Sequence, residues 1–416
     1  MIEIKHIANI YRLILLIIFS TINLFSQWAY DPSTNTKLVV NPVDPINISS
    51  VGDNKGGAFI VWQDSRTKDR SEILFLHVNK DGETSFRSDG KAVSQSLENK
   101  FEPKIQLHNS GDLLVLWKEN ISPTTSEIFI QKVTSKGLRL WSDYGIQITR
   151  LNKEIKEYTL NTDTDGNVII AFITKDLNSA NNSLYIIKLN SSGKILKGPT
   201  QIISSADTKL SDTKIHPLRE NSLYLNWIET KESRAALYFG NMKITDDSVQ
   251  LKKKKISKTN ENVLSFESSL VGNELYVIWY TQEKQRTIYH QLISFDGKFI
   301  WGQEGKLLTT KRGQNSYPQF DIFNKNIFVT WVNDYGNDKN IYAQLFDLKG
   351  DKRWKEAGMP VIEYEGDQFG QKVVSDNRGN FIVAWIDRRF TKQFGNIYAQ
   401  KLSSIGEFNG LKVELI

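Results

Sequence analysis

An apolar strand ending in an aromatic residue recurs at Trp62, Trp117, Phe172, Trp227, Trp279, Trp331 and Trp385, with successive separations of 55, 55, 55, 52, 52 and 54 residues. Spacing this regular restricts the chain to an array of one supersecondary unit that buries its apolar faces against its neighbours. A second column follows each aromatic, at Leu74, Phe129, Tyr185, Tyr238, Tyr289, Tyr342 and Tyr398. A third is glycine, at Gly82, Gly137, Gly193, Gly297, Gly350 and Gly406, which suits a turn that needs positive φ. In the fourth unit Asp246-Asp247 stands in its place.

Four residues after most of these glycines a bulky residue opens another element, at Phe86, Trp141, Trp301 and Trp354, and the three tryptophans begin Trp-x-x-x-Gly-x-x-aliphatic. Each unit therefore predicts four short strands, in the second unit Pro103–His108, Asp112–Trp117, Glu127–Val133 and Leu138–Thr149. The second strand is apolar at both parities, with Leu113, Val115 and Trp117 on one face and Leu114 and Leu116 on the other, so it must be covered on both sides. Flat four-stranded antiparallel sheets stacked face to face describe the blades of a propeller. The seventh unit lacks the fourth-strand signal, and Trp28 with Leu38-Val39-Val40 reads as the missing copy. The expectation is an all-β, seven-bladed β-propeller closed by the amino-terminal strand, with 27–45 as that strand and repeats near 46–100, 101–156, 157–211, 212–262, 263–315, 316–367 and 368–416. A β-solenoid has shorter coils, and an eighth blade would need Trp28–Val40 and Leu411–Ile416 to add strands independently.

Residues 1–26 carry Lys5 and Arg12 ahead of an apolar run from Leu13 to Phe25, too short to span a bilayer, and read as a secretory signal peptide ending at Ser26. An exported mature chain with no transmembrane segment is expected, periplasmic, at the cell surface or extracellular. With no Cys, neither a disulfide framework nor a thiolate metal site can form. A formal net charge of +6 supplies no field of the kind nucleic-acid binding needs.

The phrase Ala58-Phe59-Ile60-Val61-Trp62-Gln63-Asp64-Ser65-Arg66, together with Ile341-Tyr342-Ala343-Gln344 and Phe381–Arg389 followed by Asn396–Gln400, resembles repeats of secreted propeller-like proteins of Bacteroidota and related bacteria. The resemblance implies fold and address, and many such proteins also carry a carboxy-terminal sorting domain, for which the few residues after the seventh unit leave no room. It carries over no catalytic residue.

Two positions after the aromatic the units read Asp64, Glu119, Thr174, Glu229, Thr281, Asn333 and Asp387, all able to accept hydrogen bonds from loop amides. A repeated position is architectural before it is catalytic. The alternative is a binding rim built from the loops after each second strand, in which Arg forks meet carboxylates or sulfates. Its candidate residues are Asp64, Arg66 and Arg70, then Asp334, Tyr335 and Asp338, then Asp387, Arg388 and Arg389. The oxygen-rich run Asn333–Asn340 lacks EF-hand spacing, and the histidines are scattered singly, so no metal and no cofactor are expected. The favoured function is a non-enzymatic propeller serving as a protein-binding or scaffold module of the cell envelope, with polysaccharide as the second partner. The alternative is a carbohydrate-active propeller, hydrolase or lyase, using axial carboxylates, or a glycan-binding protein. A raised-pKa carboxyl pair facing the axis would favour that alternative.

Overall fold

The computed structural model describes residues 46–406 except 56, 68–69, 80–82, 85–89, 178, 180, 219–221, 245–248, 259–260, 295, 337, 376–378 and 390–395. The signal-peptide reading at 1–26, the closing strand Trp28–Val40 and the tail Leu411–Ile416 lie outside them. Every described element is a β-strand, and no helix among the described residues is long and apolar enough to cross a membrane. Seven antiparallel sheets follow one another in sequence, six with four strands and the last with three described strands, β25 (Gln368–Ser375), β26 (Asn380–Asp387) and β27 (Asn396–Ser403). The chain divides into two compact units, the first holding the two sheets whose strands lie between Ile46 and Gln147 and the second the five whose strands lie between Glu154 and Ser403.

The second strand of each sheet from the second to the sixth is covered on both faces, as its composition demands. In the first unit Phe59, Val61 and Phe75 of one sheet pack with Leu113, Val115 and Trp117 of the next, all fully buried. In the second unit β14 (Ser222–Lys231) turns Leu223, Leu225 and Trp227 toward the preceding sheet and Tyr224 and Ile228 toward the following one. Each such side chain contributes about 1.5–3 kcal/mol on leaving water.

Two repeated signals find their causes here. The glycine of Trp-x-x-x-Gly lies under the tryptophan that ends the second strand: a Cβ on Gly358 would stand 2.4 Å from Trp331 Cη2, and one on Gly145 2.6 Å from Trp117 Cη2. The Gln that closes Ile-Tyr-Ala-Gln braces the next element. Gln344 Oε1 accepts from the backbone N–H groups of Leu345 and Trp354 at 3.0 Å each, and its Nε2 donates to Lys355 O at 2.7 Å. Gln131 does the same around Trp141, and Gln291 around Trp301. Because this side-chain brace replaces ladder pairing, the expected fourth strand Leu138–Thr149 contracts to the two residues of β8 (Ile146–Gln147).

Candidate functional site

The first strand of every sheet breaks register against the second near its start. At most of these bulges the extra residue is left-handed: Asn47 (φ 53°) and Glu102 (φ 54°) in the first unit, and Asp212 (φ 53°), Tyr317 (φ 52°) and Gly370 (φ 66°) in the second. Such a conformation costs a non-glycine residue about 1–3 kcal/mol and re-aims its side chain out of the ladder. Pro103 and Pro318 follow two of these residues, where no ladder N–H is needed.

In the second unit the bulges of successive sheets are joined. The Asp212 N–H donates to Glu157 Oε2 at 2.5 Å, and Ser265 Oγ donates to Asp212 Oδ2 at 3.2 Å. Tyr280, on β18 (Glu274–Gln282), lies with its ring 5.4 Å from that of Tyr317. Gln371 Nε2 donates to Tyr317 O at 2.6 Å. Burial raises the carboxyls of Glu157 and Asp212 above the ordinary range, against the Asp212 N–H on the first and Lys214 on the second. Burial, then the Tyr317 phenol beside it, pushes Tyr280 up to about 12, with Asp212 acting in the same direction.

Beyond Tyr317 a cleft of about 480 Å³ opens between the sixth and seventh sheets. Its cations are Lys339, paired with Asp367 at 2.9 Å, Lys372, bonded to Gln319 Oε1 at 2.9 Å, and Arg388, whose guanidinium lies 4.9 Å from the Phe369 ring. Lys372 and Arg388 have no carboxylate partner among the described residues. Arg388 Nε and Gln371 Oε1 are buried without a hydrogen-bond partner. Unmatched buried polar atoms of opposite character on one wall suit a ligand that both accepts and donates.

Of the nine rim residues expected from sequence, Arg388 enters this cleft. Asp338 Oδ1 accepts the Gly366 N–H at 2.9 Å, and Arg389 lies 5.0 Å over the Tyr364 ring, so both support the segment leading into the cleft. Asp334 and Tyr335 sit at the end of β22 (Asn326–Tyr335), Tyr335 largely exposed. Arg70 pairs with Glu72. Asp64 is buried and accepts the Trp62 indole N–H at 3.0 Å. Glu119 and Glu229 accept from Trp117 and Trp227 at 2.8 Å, so the repeated acid serves the indole as well as any loop amide. The side chains of Arg66 and Asp387 lie outside the described residues. Tyr317, Lys339, Phe369, Gln371 and Lys372 were not anticipated. The available signal was the motif at the first strand, Glu102-Pro103-Lys104, Asp212-Thr213-Lys214, Tyr317-Pro318-Gln319 and Gly370-Gln371-Lys372. No group of three or more metal-ligating side chains occurs among the described residues. His216 and His290 are buried and held neutral, at about 3, by burial.

No protein-family model and no curated protein matches the chain. Among solved structures it resembles a polysaccharide lyase of a new family, an ulvan lyase, at 9% identity with a TM-score of 0.56, over 90% of this chain and 96% of that one. The ulvan lyase bound to -[GlcA(1-4)Rha3S]- matches with a TM-score of 0.55, also at 9% identity and over the same shares of both chains. An α-L-arabinofuranosidase from Fusarium graminearum aligns over 73% of this chain and 93% of its own at 11% identity, with a TM-score of 0.44. At such identities the likeness is one of fold, and it supports the β-propeller class. It also corrects the expectation of a non-enzymatic, protein-binding scaffold: the solved structures with this fold likeness are of a polysaccharide lyase.

Proposed function

We propose that this chain is a carbohydrate-active propeller that cleaves an acidic polysaccharide, and that the site is the arc of first-strand bulges ending in the cleft at Tyr317, Lys372 and Arg388. The observation that carries this reading is the placement of two cations lacking carboxylate partners, Lys372 and Arg388, in one cleft with the phenol of Tyr317, itself packed on Tyr280. A sugar carboxylate seated on those cations loses the charge that opposes removal of the neighbouring carbon-bound proton. The proton then leaves, the electron pair closes a carbon–carbon double bond, and the glycosidic bond two atoms away breaks. The departing oxygen gains a proton, so none is consumed overall. Tyr317 is the proton-transfer group, its Oη taking the carbon-bound proton as its own hydroxyl proton passes to the departing oxygen, while Tyr280 beside it, at about 12, keeps its proton at neutral pH. Phe369 and the exposed ring of Tyr317 offer apolar faces for the sugar ring. The fold of the ulvan lyase, bound to a glucuronate-containing sulfated chain, supports the same substrate class.

A second reading, hydrolysis, is favoured by one observation: Glu157 and Asp212 are both raised by burial, and a carboxyl that retains its proton is the acid such a reaction requires. Products separate the two. Elimination yields an unsaturated uronate with its ultraviolet absorbance, whereas hydrolysis yields a reducing end without it. Tyr317→Phe should lower kcat by about 100-fold with KM little changed. Full activity in that variant refutes the proton-transfer role, and failure of the wild type to cleave or bind any acidic polysaccharide refutes the reading.

We also propose that the seven sheets are the blades of one closed ring, in which Trp28–Val40 completes the last sheet. The three-stranded state of that sheet among the described residues supports this.

A further inference from the structure

A second cleft, of about 850 Å³, lies at the third and fourth sheets of the same unit and is lined by Lys156, Glu157, Lys175, Leu177, Lys209 and Leu210 among others. It opens at the same end of its sheets as the first: both are built from the start of a first strand, the end of a second and the start of a third. Lys156 is the bulged residue of β9 (Glu154–Thr162), left without a ladder partner between Ile155 and Glu157. It pairs with Glu154 at 2.5 Å, whereas Lys175 and Lys209 have no carboxylate bonded to them among the described residues. Leu177 leaves an exposed apolar surface beside them.

The two clefts are the ends of one track. From Lys156 and Glu157 it passes through the hydrogen bonds Asp212 to Glu157 and Ser265 to Asp212, then through Tyr280 and Tyr317 to Gln371 and the cleft of Lys372 and Arg388. Cations stand at both ends, and the carboxyls of Glu157 and Asp212 and the phenols of Tyr280 and Tyr317 lie between them. We infer that the Lys156–Lys175–Lys209 cleft is a distal subsite for the same anionic polysaccharide, so that one extended chain occupies both clefts across the track. This rests on the reading of the first cleft as the glycan site. The chemistry shared by its possible ligands is the repeated anion of a polysaccharide, carboxylate or sulfate. A chain held at two places gains affinity that a short one cannot reach.

The test is calorimetric titration of the full chain with oligoglucuronates and with sulfated oligosaccharides, from disaccharide to decasaccharide. The variants are Lys175→Gln with Lys209→Gln, both exposed and therefore compatible with folding, and separately Arg388→Gln. The distal double variant should bind long oligosaccharides about 10-fold more weakly and disaccharides as the wild type does. Arg388→Gln should weaken binding at every length. Whichever series shows the length-dependent loss identifies the anion read by the distal lysines. If the double variant changes nothing at any length while Arg388→Gln still weakens binding, the distal subsite is wrong and the first cleft stands. Equal loss at disaccharide and decasaccharide likewise overturns it. If the wild type binds neither series, the reading of the first cleft falls with it.

Discussion

Gly358 and Gly302 have almost the same backbone conformation, φ +84° and +85°, yet opposite surroundings. A Cβ on Gly302 meets nothing within 4 Å, whereas one on Gly358 would stand 2.4 Å from Trp331 Cη2 and 2.9 Å from Ala343 O. Alanine at either position pays the left-handed penalty of about 1–2 kcal/mol, and a less flexible unfolded chain returns about 0.4–1 kcal/mol of it. Gly302→Ala should therefore destabilise by about 1 kcal/mol, and at most by about 1.6 kcal/mol. At position 358 the Trp331 ring must also move. That ring is fully buried, its indole N–H is bonded to Asn315 Oδ1 at 3.0 Å, and the opposing atom is a strand carbonyl of β23 (Asp338–Phe346) that cannot shift alone. Overpacking of this kind adds about 1–3 kcal/mol, so Gly358→Ala should lose about 3 kcal/mol in all. Urea unfolding followed by tryptophan fluorescence measures both, and near-ultraviolet circular dichroism should register the displaced ring in the second alone. Equal losses in the two variants would show that the repeated glycine answers to φ and not to the tryptophan.

Two further outcomes follow from buried histidines and from the seventh sheet. His216 and His290 are held at about 3 against an ordinary 6.5, so the unfolded chain binds their protons first; their contribution is intact above about pH 6.5 and is lost as pH falls toward 3. At pH 5 each should cost about 2 kcal/mol, partly offset by the raised carboxyls of Glu157 and Asp212, which bind protons in the folded state; His290→Leu should halve the histidine slope in urea midpoints taken between pH 7 and 5. Deleting 28–40 should lower the melting temperature and cost several kcal/mol, since it would leave the last sheet with an open edge; an unchanged melting temperature rejects ring closure.

The parts of the fold legible in the sequence are those where every unit repeats the same physical demand. Leu113 to Trp117 is apolar at both parities because both faces are covered, and the columns of tryptophan and glycine are mutually required by contact. The Gln of Ile-Tyr-Ala-Gln was visible as a repeat, but its role was not. It reaches ten residues ahead to Trp354 N, and nothing in local periodicity reports a bond of that length. The acid two positions after the aromatic was legible as architectural, though its partner is the indole N–H of the preceding tryptophan. The cleft stayed hidden because a bulge shifts alternation by one residue, so the outward-facing residues of the first strand read as a broken pattern instead of a site.

That same bulge explains why chemistry can collect there. It offers each sheet one position whose side chain leaves the ladder, so its identity can change without disturbing the packed second strand. In the first unit the position is absorbed into structure: Asn47 Nδ2 donates to Gln63 Oε1 at 3.0 Å, and Glu102 accepts from Lys118 Nζ at 3.0 Å. In the second unit the corresponding residues are Lys156, Asp212, Leu264, Tyr317 and Gly370, a cation, an acid, an exposed apolar side chain, a phenol and a gap that opens beside Phe369. Asp212 and Tyr317 hold left-handed backbones at about 1–3 kcal/mol each, and the sheets absorb that strain at both positions. A strained position repeated for architectural reasons thus becomes a row of exchangeable side chains, and in the second unit that row runs between the clefts at Lys156 and at Tyr317.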